Sequence, residues 1–147
     1  NRSELTEVPS LGLGTSPVSL LEMVSAYASI ANGGMYHEPI WVTRIEDREG
    51  SVLAEFAQRD KDALSEDTAI ELIDMMRGVV NQGTGSAIRH SFGIDADVAG
   101  KTGTTQNNTD GWFILMHPAL VAGAWVGFND GRIAFRSNYW GQGAHTR

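Results

Sequence analysis

The sequence predicts an α+β fold in which an antiparallel sheet packs against helices. Two segments in the first half space their apolar residues as amphipathic helices do, while two runs in the second half, 112–116 and 120–128, are strongly apolar and β-prone. Helices that come before the strands, instead of alternating with them, favour an antiparallel sheet covered by helices. The 147 residues, 41% hydrophobic and 20% charged, suit one globular domain or part of a larger one.

The first helix is predicted to follow a loop that ends at Gly14. Ser19 and Glu22 have the spacing of a capping box, in which the Ser19 hydroxyl accepts the Glu22 N–H and the Glu22 carboxylate reaches back. Asn32-Gly33-Gly34 ends the helix, because glycine adopts the left-handed conformation of a helix stop. The apolar residues between these signals recur at helical spacing: Leu20, Leu21, Val24, Tyr27, Ala28 and Ala31.

A β-hairpin is predicted over residues 40–56. Its first strand, 40–46, alternates and is rich in β-branched residues, Arg48-Glu49-Gly50 is a turn signal, and 51–56 is the second strand. We expect the hairpin to pack one face and to leave the other in water. The tryptophans are expected mostly in the core, although the last of them could line a groove: Trp41, Trp112, Trp125 and Trp140.

A second helix is predicted from near Ser65 to Asn81-Gln82-Gly83. Gly83-Thr84-Gly85 then forms a tight loop, and 86–97 reads as a short helix followed by an irregular link. The apolar stripe of the second helix contains four residues: Ile70, Ile73, Met76 and Val80.

The strands of the sheet are predicted to begin with 98–105, which is β-prone but rich in glycine. The apolar runs 112–116 and 120–128 are predicted as two buried strands, since an internal His-Pro pair and several glycines argue against a membrane span. Residues 132–139 are predicted as a further strand.

Composition excludes several classes of function. The net charge of −7 gives no overall electrostatic support for a nucleic-acid or anionic-membrane partner, and the ten acids and four bases of residues 44–74 read as a solvated face. With no cysteine, disulfides, thiolate zinc sites and cysteine nucleophiles are excluded. The four histidines lack metal-pair spacing, and we expect neither a metal nor a cofactor.

Gly100-Lys101-Thr102 invites comparison with a phosphate-binding loop. That motif requires a glycine at position 95, where this chain has Asp95, and it must be followed by a helix whose N-terminus faces the phosphate. The polar and glycine residues of 103–108 favour no helix. A nucleotide-binding module therefore stays a minor alternative.

An extended strand over 101–105 has its own chemistry. Side chains alternate along a strand, so Thr102 and Thr104 share a face, and two hydroxyls about 7 Å apart can grip one carboxylate. Gly103 between them leaves the backbone open to close approach by a ligand. Lys101 adds a positive charge beside the site.

The motifs around this strand resemble the transpeptidase domain of class A penicillin-binding proteins over nearly the whole chain and in the right order. The chain departs from that family at Leu20, where proline is frequent, and at Gly111, where alanine is common. The matching runs are Lys101-Thr102-Gly103-Thr104-Thr105, Asp110-Gly111-Trp112-Phe113 and 121–130, preceded by 13–16, 21–27, 31–34 and Gly83-Thr84-Gly85.

The resemblance implies an incomplete penicillin-binding or serine β-lactamase-like transpeptidase fold and a substrate. Thr102, Gly103, Thr104 and Thr105 would bind the terminal carboxylate region of a D-Ala-D-Ala stem peptide of peptidoglycan, or of a β-lactam. Lys101 and Thr104 would be catalytic: Lys101 would favour proton transfer and developing negative charge, and the Thr104 N–H would donate to the oxyanion.

The same family also needs a Ser-x-x-Lys nucleophile motif and a Ser-x-Asn motif, and the chain contains neither. Gln58 and Val98 stand where serines would precede the two lysines, Lys61 and Lys101. Residues 1–147 are therefore expected to be the C-terminal portion of a single transpeptidase domain, inactive alone and ending before a terminal helix that would cover the sheet. We expect a soluble fragment of a membrane-anchored, extracytoplasmic or periplasmic parent, able to self-associate through open strand edges.

Three other interpretations stay open from the sequence. A fragment of a D,D-carboxypeptidase or serine β-lactamase would differ only in what accepts the acyl group. The nucleotide-binding module is the second. A non-catalytic domain used for partner contact is the third.

Overall fold

The computed structural model describes residues 3–105 and 107–135 and confirms the α+β class. Its centre is an antiparallel three-stranded sheet, called the main sheet below, with strand order β5-β6-β7. Two two-stranded ladders, β1 with β4 and β2 with β3, lie between the two long helices in the chain. In chain order the elements are a 3₁₀ helix at Pro9–Leu13, α1 (Leu20–Ala31), β1 (Met35–His37), β2 (Arg44–Glu46), β3 (Val52–Glu55), β4 (Asp60–Asp62), α2 (Glu66–Gln82), α3 (Ala87–His90), β5 (Ala99–Thr104), β6 (Asp110–His117) and β7 (Leu120–Gly127).

The predicted capping box of α1 is present. The Ser19 hydroxyl accepts the Glu22 N–H at 3.3 Å, and the Glu22 carboxylate accepts the Ser19 N–H at 2.9 Å. The same carboxylate also accepts the N–H and the hydroxyl of Ser3, which ties the start of the described chain to α1. Hydrogen bonds from the Ser19 and Ser3 hydroxyls stabilise the charged form and lower the pKa of Glu22 to about 2.

Gly34 joins the end of α1 to the approach to α2. Its φ of +94° favours glycine, and a Cβ there would lie 2.3 Å from the Leu64 carbonyl oxygen. The Gly34 carbonyl accepts the N–H groups of Ala63 and Leu64 at 2.9 and 3.0 Å. The predicted stop of α1 is thus also a close contact between two distant segments.

The predicted hairpin is confirmed in part. β2 pairs with β3 over only three positions, because the register shifts between Ile45 and Glu46, and residues 40–43 form no strand. The expectation of one packed face is wrong, since β2 is exposed throughout and β3 has a single half-buried residue. Trp41 was expected in the core but is 81% exposed, on a segment next to the exposed strand β2.

A second short ladder was not predicted. β1 pairs antiparallel with β4, matching Met35 to Asp62 and His37 to Asp60. Asp60-Lys61-Asp62 has no apolar alternation, so nothing in its local pattern indicates a strand. The ladder forms because the chain returns to the end of α1 before α2 begins.

α2 begins where predicted, with the Ser65 hydroxyl accepting the Thr68 N–H at 3.2 Å. Its buried face is rotated slightly from the predicted stripe: Ala69, Met76 and Val80 are buried. Ile70 is 51% exposed, so its placement on the core stripe is wrong. Ala69, one position earlier, occupies the buried position instead.

The main sheet has two packed faces. On one face, Ala99, Ile114 and Met116 form a cluster with Met76 of α2, and α1 side chains pack against it. On the other face, Val98 clusters with Val80 of α2 and Ile88 of α3. α2 therefore contributes to both clusters.

Glycine allows α1 to approach the main sheet closely. A Cβ on Gly123 of β7 would lie 2.5 Å from Val24 Cγ2 and 2.8 Å from Ile114 Cδ1. Leu20, the residue that departs from the family pattern, also faces Gly123. The packing of α1 on β7 therefore requires the absence of a side chain at this position.

Other predictions have mixed outcomes. The two apolar runs form strands as predicted, β6 and β7, and the short helix in 86–97 is confirmed as α3. The expected burial holds for β6 but is wrong for β7, which has no buried residue and whose Trp125 is 41% exposed. Residues 132–135 contain no strand, while the rest of the predicted strand, with Trp140, lies outside the described residues. None of the helices in residues 3–105 and 107–135 has the length and apolar character needed to cross a membrane.

Candidate active site

β5 places the Lys-Thr-Gly motif at one edge of the main sheet, as described for residues 3–105 and 107–135. The Thr105 N–H donates to the Asp110 carbonyl at 3.4 Å, one position beyond Thr104 and Gly111, which end the β5–β6 register. Along one strand of an antiparallel pair, the backbone N–H and C=O groups of alternate residues bond to the partner strand, and those of the residues between them point away from it. The N–H and C=O groups of Thr102 and Thr104 therefore point to the outer edge of β5.

Lys101 lies along this outer edge. Its ammonium donates to the Thr102 carbonyl at 2.6 Å, which agrees with that carbonyl pointing away from β6. Among the described residues no carboxylate forms an ion pair with Lys101. Its positive charge is thus held in place by a neutral group, and an incoming anion meets it without having to displace an aspartate or glutamate.

The two threonines of the predicted carboxylate grip differ in burial. Thr104 is exposed at the end of β5, while Thr102 is 9% exposed. The Thr102 hydroxyl oxygen lies 2.6 Å from the hydroxyl oxygen of Thr84, in the loop after α2. The prediction of site residues missed Thr84: its tight loop was recognisable, but no sequence pattern shows that its hydroxyl meets a residue eighteen positions away.

Gly103 and Thr105 also have defined surroundings. A Cβ on Gly103 would lie 3.3 Å from Trp112 Cβ, so packing against β6 adds a reason for glycine there. The Thr105 hydroxyl accepts the N–H groups of Thr109 and Asp110 at 3.0 and 3.2 Å. In this structure the Thr105 side chain closes the turn between β5 and β6.

A cavity of about 260 Å³ lies beside the Thr84–Thr102 pair. The two hydroxyls supply polar groups to a wall that is otherwise mostly apolar. Apolar residues of the wall come from α3, from the link after it and from β6 and β7: Ile88, Phe92, Phe113, Ala124, Trp125 and Val126.

Two arginines anchor the link that leads into β5. Arg77 of α2 makes a two-pronged contact with Asp97, at 2.9 and 2.7 Å, and contacts Asp74 at 2.7 Å. The hydrogen bond from Arg77 lowers the pKa of Asp97 and the same contact raises the pKa of Arg77. Arg89 of α3 donates to the carbonyls of Ile94 and Ala96 at 2.5 and 2.7 Å, so the link is held on both sides.

The phosphate-loop interpretation is wrong. Ala99–Thr104 is a strand, and the chain continues through a turn into β6 instead of opening a helix. No helix N-terminus therefore follows Gly100-Lys101-Thr102 to receive a phosphate. Within the described ranges, no group of three or more acidic or histidine side chains is arranged to hold a metal ion.

Residues 5–125 match the family model described as the penicillin-binding protein transpeptidase domain. Penicillin-binding protein 2D of Bacillus subtilis is 39% identical over 134 residues, covering 86% of this chain and 19% of its own length. Penicillin-binding protein 1A of Aquifex aeolicus is 38% identical over 120 residues, covering 82% of this chain and 16% of its own length. The chain thus spans less than a fifth of these relatives.

Solved structures agree in fold. The D,D-transpeptidase domain of a peptidoglycan glycosyltransferase from Eggerthella lenta superposes with a TM-score of 0.62 at 32% identity, covering 84% of this chain and 31% of that one. Penicillin-binding protein 1A from Haemophilus influenzae superposes with a TM-score of 0.79, covering 88% of this chain and 25% of that one. At 23% identity the second likeness supports the fold alone.

Proposed function

The chain belongs to the penicillin-binding protein transpeptidase family, and from this premise we propose that it supplies the carboxylate-binding edge of a D,D-transpeptidase active site. The activity cross-links peptidoglycan in the cell wall. Residues 1–147 form the C-terminal portion of the transpeptidase domain, and the serine nucleophile comes from a segment outside this chain. The placement of Lys101 on the outer edge of β5 is the observation that carries the proposal.

Each residue of the motif has a role in this proposal. Thr102 and Thr104 hold the terminal carboxylate of the D-Ala-D-Ala stem, and Gly103 keeps a side chain out of the way. Thr105 is a further substrate-binding residue, and its hydroxyl stabilises the turn that follows β5 by accepting the Thr109 N–H. Lys101 supplies positive charge that stabilises the anionic substrate and the negative charge that develops during reaction.

The reaction then proceeds in two acyl transfers. The serine oxygen attacks the carbonyl of the penultimate D-Ala and its proton passes to a base, while the Thr104 N–H, which points to the outer edge of β5, donates to the oxyanion. The C–N bond to the terminal D-Ala breaks and the leaving amine takes a proton. An amine of a neighbouring stem attacks the resulting ester, releases the serine and completes the cross-link.

The proposal extends to a second class of ligand and to a cellular location. A β-lactam carries a carboxylate beside its reactive carbonyl, so it occupies the same grip and acylates the same serine. Peptidoglycan lies outside the cytoplasmic membrane, which places the reaction at the extracytoplasmic or periplasmic face, in a parent protein anchored to the membrane. The outer edge of β5 is also where a second chain could pair if left uncovered.

The two lysines of the chain provide the test and its control. In the product of the open reading frame that contains this chain, Lys101→Ala should lower the rate of labelling by a fluorescent penicillin at least about 100-fold, because the charge at the reacting centre is lost. Lys61→Ala, on exposed β4, should leave the rate within about twofold, because a surface substitution away from the site has little effect. Equal rates for the two variants would contradict the proposal.

A further inference from the structure

We propose that Thr84 is a positioning residue that orients the Thr102 hydroxyl toward its ligand, an inference that rests on the proposed function. The two hydroxyl oxygens are 2.6 Å apart, at the short end of the range for hydrogen bonds between hydroxyls. One oxygen comes from the loop after α2 and the other from the middle of β5, so the bond joins two elements across the edge of the site.

The number of hydrogens gives this bond a direction when an anion is present. A threonine hydroxyl has one hydrogen and two lone pairs. If Thr102 donated to Thr84, its only hydrogen would be used and it could offer a carboxylate nothing but lone pairs. A bound carboxylate therefore favours the order in which Thr84 donates to Thr102 and Thr102 donates to the ligand.

In that order the two bonds reinforce each other. Donation from Thr84 polarises the Thr102 O–H and strengthens its bond to the carboxylate. It also restricts the side chain of Thr102 to one orientation before the ligand arrives, which reduces the entropy lost on binding. Thr84 acts through Thr102 in this arrangement and does not contact the ligand itself.

The backbone of the loop holds Thr84 where this function requires it. The N–H groups of Gly83 and Gly85, on either side of Thr84, both donate to the Val79 carbonyl at 3.1 and 3.0 Å. Gly85 is buried, and a Cβ there would lie 3.3 Å from the Phe113 ring. The hydroxyl is thus presented by the end of α2 and by packing against β6, which makes its position well defined.

The experiment compares ligands that differ only in the carboxylate, using the product of the open reading frame that contains this chain. Thr84→Val removes the hydroxyl and keeps the shape, while Thr84→Ser keeps the hydroxyl. We expect Thr84→Val to lower the acylation rate constant for a penicillin free acid about 3- to 10-fold, and for its methyl ester less than about twofold. Thr84→Ser should stay within about twofold of the unsubstituted protein for both.

A double-mutant cycle separates positioning from direct contact. In a Thr102→Val background, Thr84→Val should cause no further loss, because its effect passes through the Thr102 hydroxyl. A further loss there, an equal loss for acid and ester, or an unchanged rate for Thr84→Val would each overturn the inference. Should Thr84→Val lower the unfolding temperature, Thr84→Ala supplies the same comparison at an exposed position.

The control for the underlying function is the unsubstituted protein. If the penicillin free acid labels one serine of the unsubstituted protein covalently, the proposed function is supported. Acylation rates of the Thr84 variants that differ from those expected then contradict the positioning role alone. A full-length protein that forms no covalent adduct contradicts the proposed function and the inference together.

Discussion

The main sheet and the β2–β3 hairpin are both antiparallel, yet only the main sheet is packed on both faces. β6 pairs with β7 over eight positions and lies between α1 and α2 on one side and the Val98 cluster on the other. The hairpin pairs over three positions, and among the residues that the structure describes neither of its strands has a fully buried side chain. Pairing of strands therefore does not by itself create a core, since the buried apolar area comes from what covers the sheet.

The largest expected difference between the two regions concerns isoleucine. Ile114 of β6 is 2% exposed, whereas Ile45 of β2 is 44% exposed. Ile114→Ala should lower the free energy of unfolding by about 2–5 kcal/mol, because it leaves a cavity. Ile45→Ala should lower it by about 0.5 kcal/mol or less. Urea unfolding of the two variants measures this, and comparable losses would show that the hairpin is packed after all.

A smaller effect is expected where glycine serves different purposes in the two regions. Gly123→Ala should cost about 1–3 kcal/mol, because the new methyl group meets Val24 and Ile114. Gly50, in the hairpin turn, has open space around it but a φ of +85°, so Gly50→Ala should cost about 1 kcal/mol through backbone strain.

Asparagine distinguishes these two causes. It tolerates the left-handed conformation, so Gly50→Asn should recover part of the loss in unfolding free energy, while Gly123→Asn should be worse than Gly123→Ala. If Gly123→Asn were more stable than Gly123→Ala, backbone conformation, and not contact with α1, would be the reason that glycine is needed at position 123.

The smallest effect concerns acid stability at the start of α1, which packs on the main sheet. The pKa of Glu22 is lowered from 4.5 to about 2 by the Ser19 and Ser3 hydroxyls. Its contribution to stability is therefore full above pH 4.5 and declines as the pH falls toward 2. Glu22→Gln should flatten this part of the profile of urea midpoint against pH, and Ser3→Ala should weaken its slope. If the profile of Glu22→Gln is the same as that of the unsubstituted protein, Glu22 does not cause the loss of stability below pH 4.5.

Local signals predicted α1 and α2 well, because caps and apolar spacing act within a few residues. Ser19 and Glu22 make the predicted capping contacts, and α2 begins near Ser65 as predicted, with the Ser65 hydroxyl accepting the Thr68 N–H. The β1–β4 ladder was not predicted. Asp60-Lys61-Asp62 has no strand pattern of its own and pairs with β1 because the fold brings the two segments together. The exposure of Trp41 was not predicted for a similar reason. Hydrophobicity indicates that a side chain prefers burial, but it does not show which segment of the chain would cover it.

In the candidate site, too, some features could be predicted from the sequence and others could not. The Lys-Thr-Gly strand and its alternation follow from residues adjacent in the chain, and the structure places Lys101 and Thr104 at the outer edge of β5. The hydroxyl of Thr84 against Thr102 depends on how α2 ends relative to β5, and residue order does not encode that distance in a readable pattern.

By itself, the sequence determined the α+β class, the ends of the two long helices, the apolar strands and the family motif. Each depends on interactions within one turn, one strand or one short motif. Only the tertiary structure decided which face of α2 is buried, that the hairpin stands exposed, and that Thr84 meets Thr102. These features depend on contacts between segments distant in the chain, which form only when the whole set of helices and strands has packed.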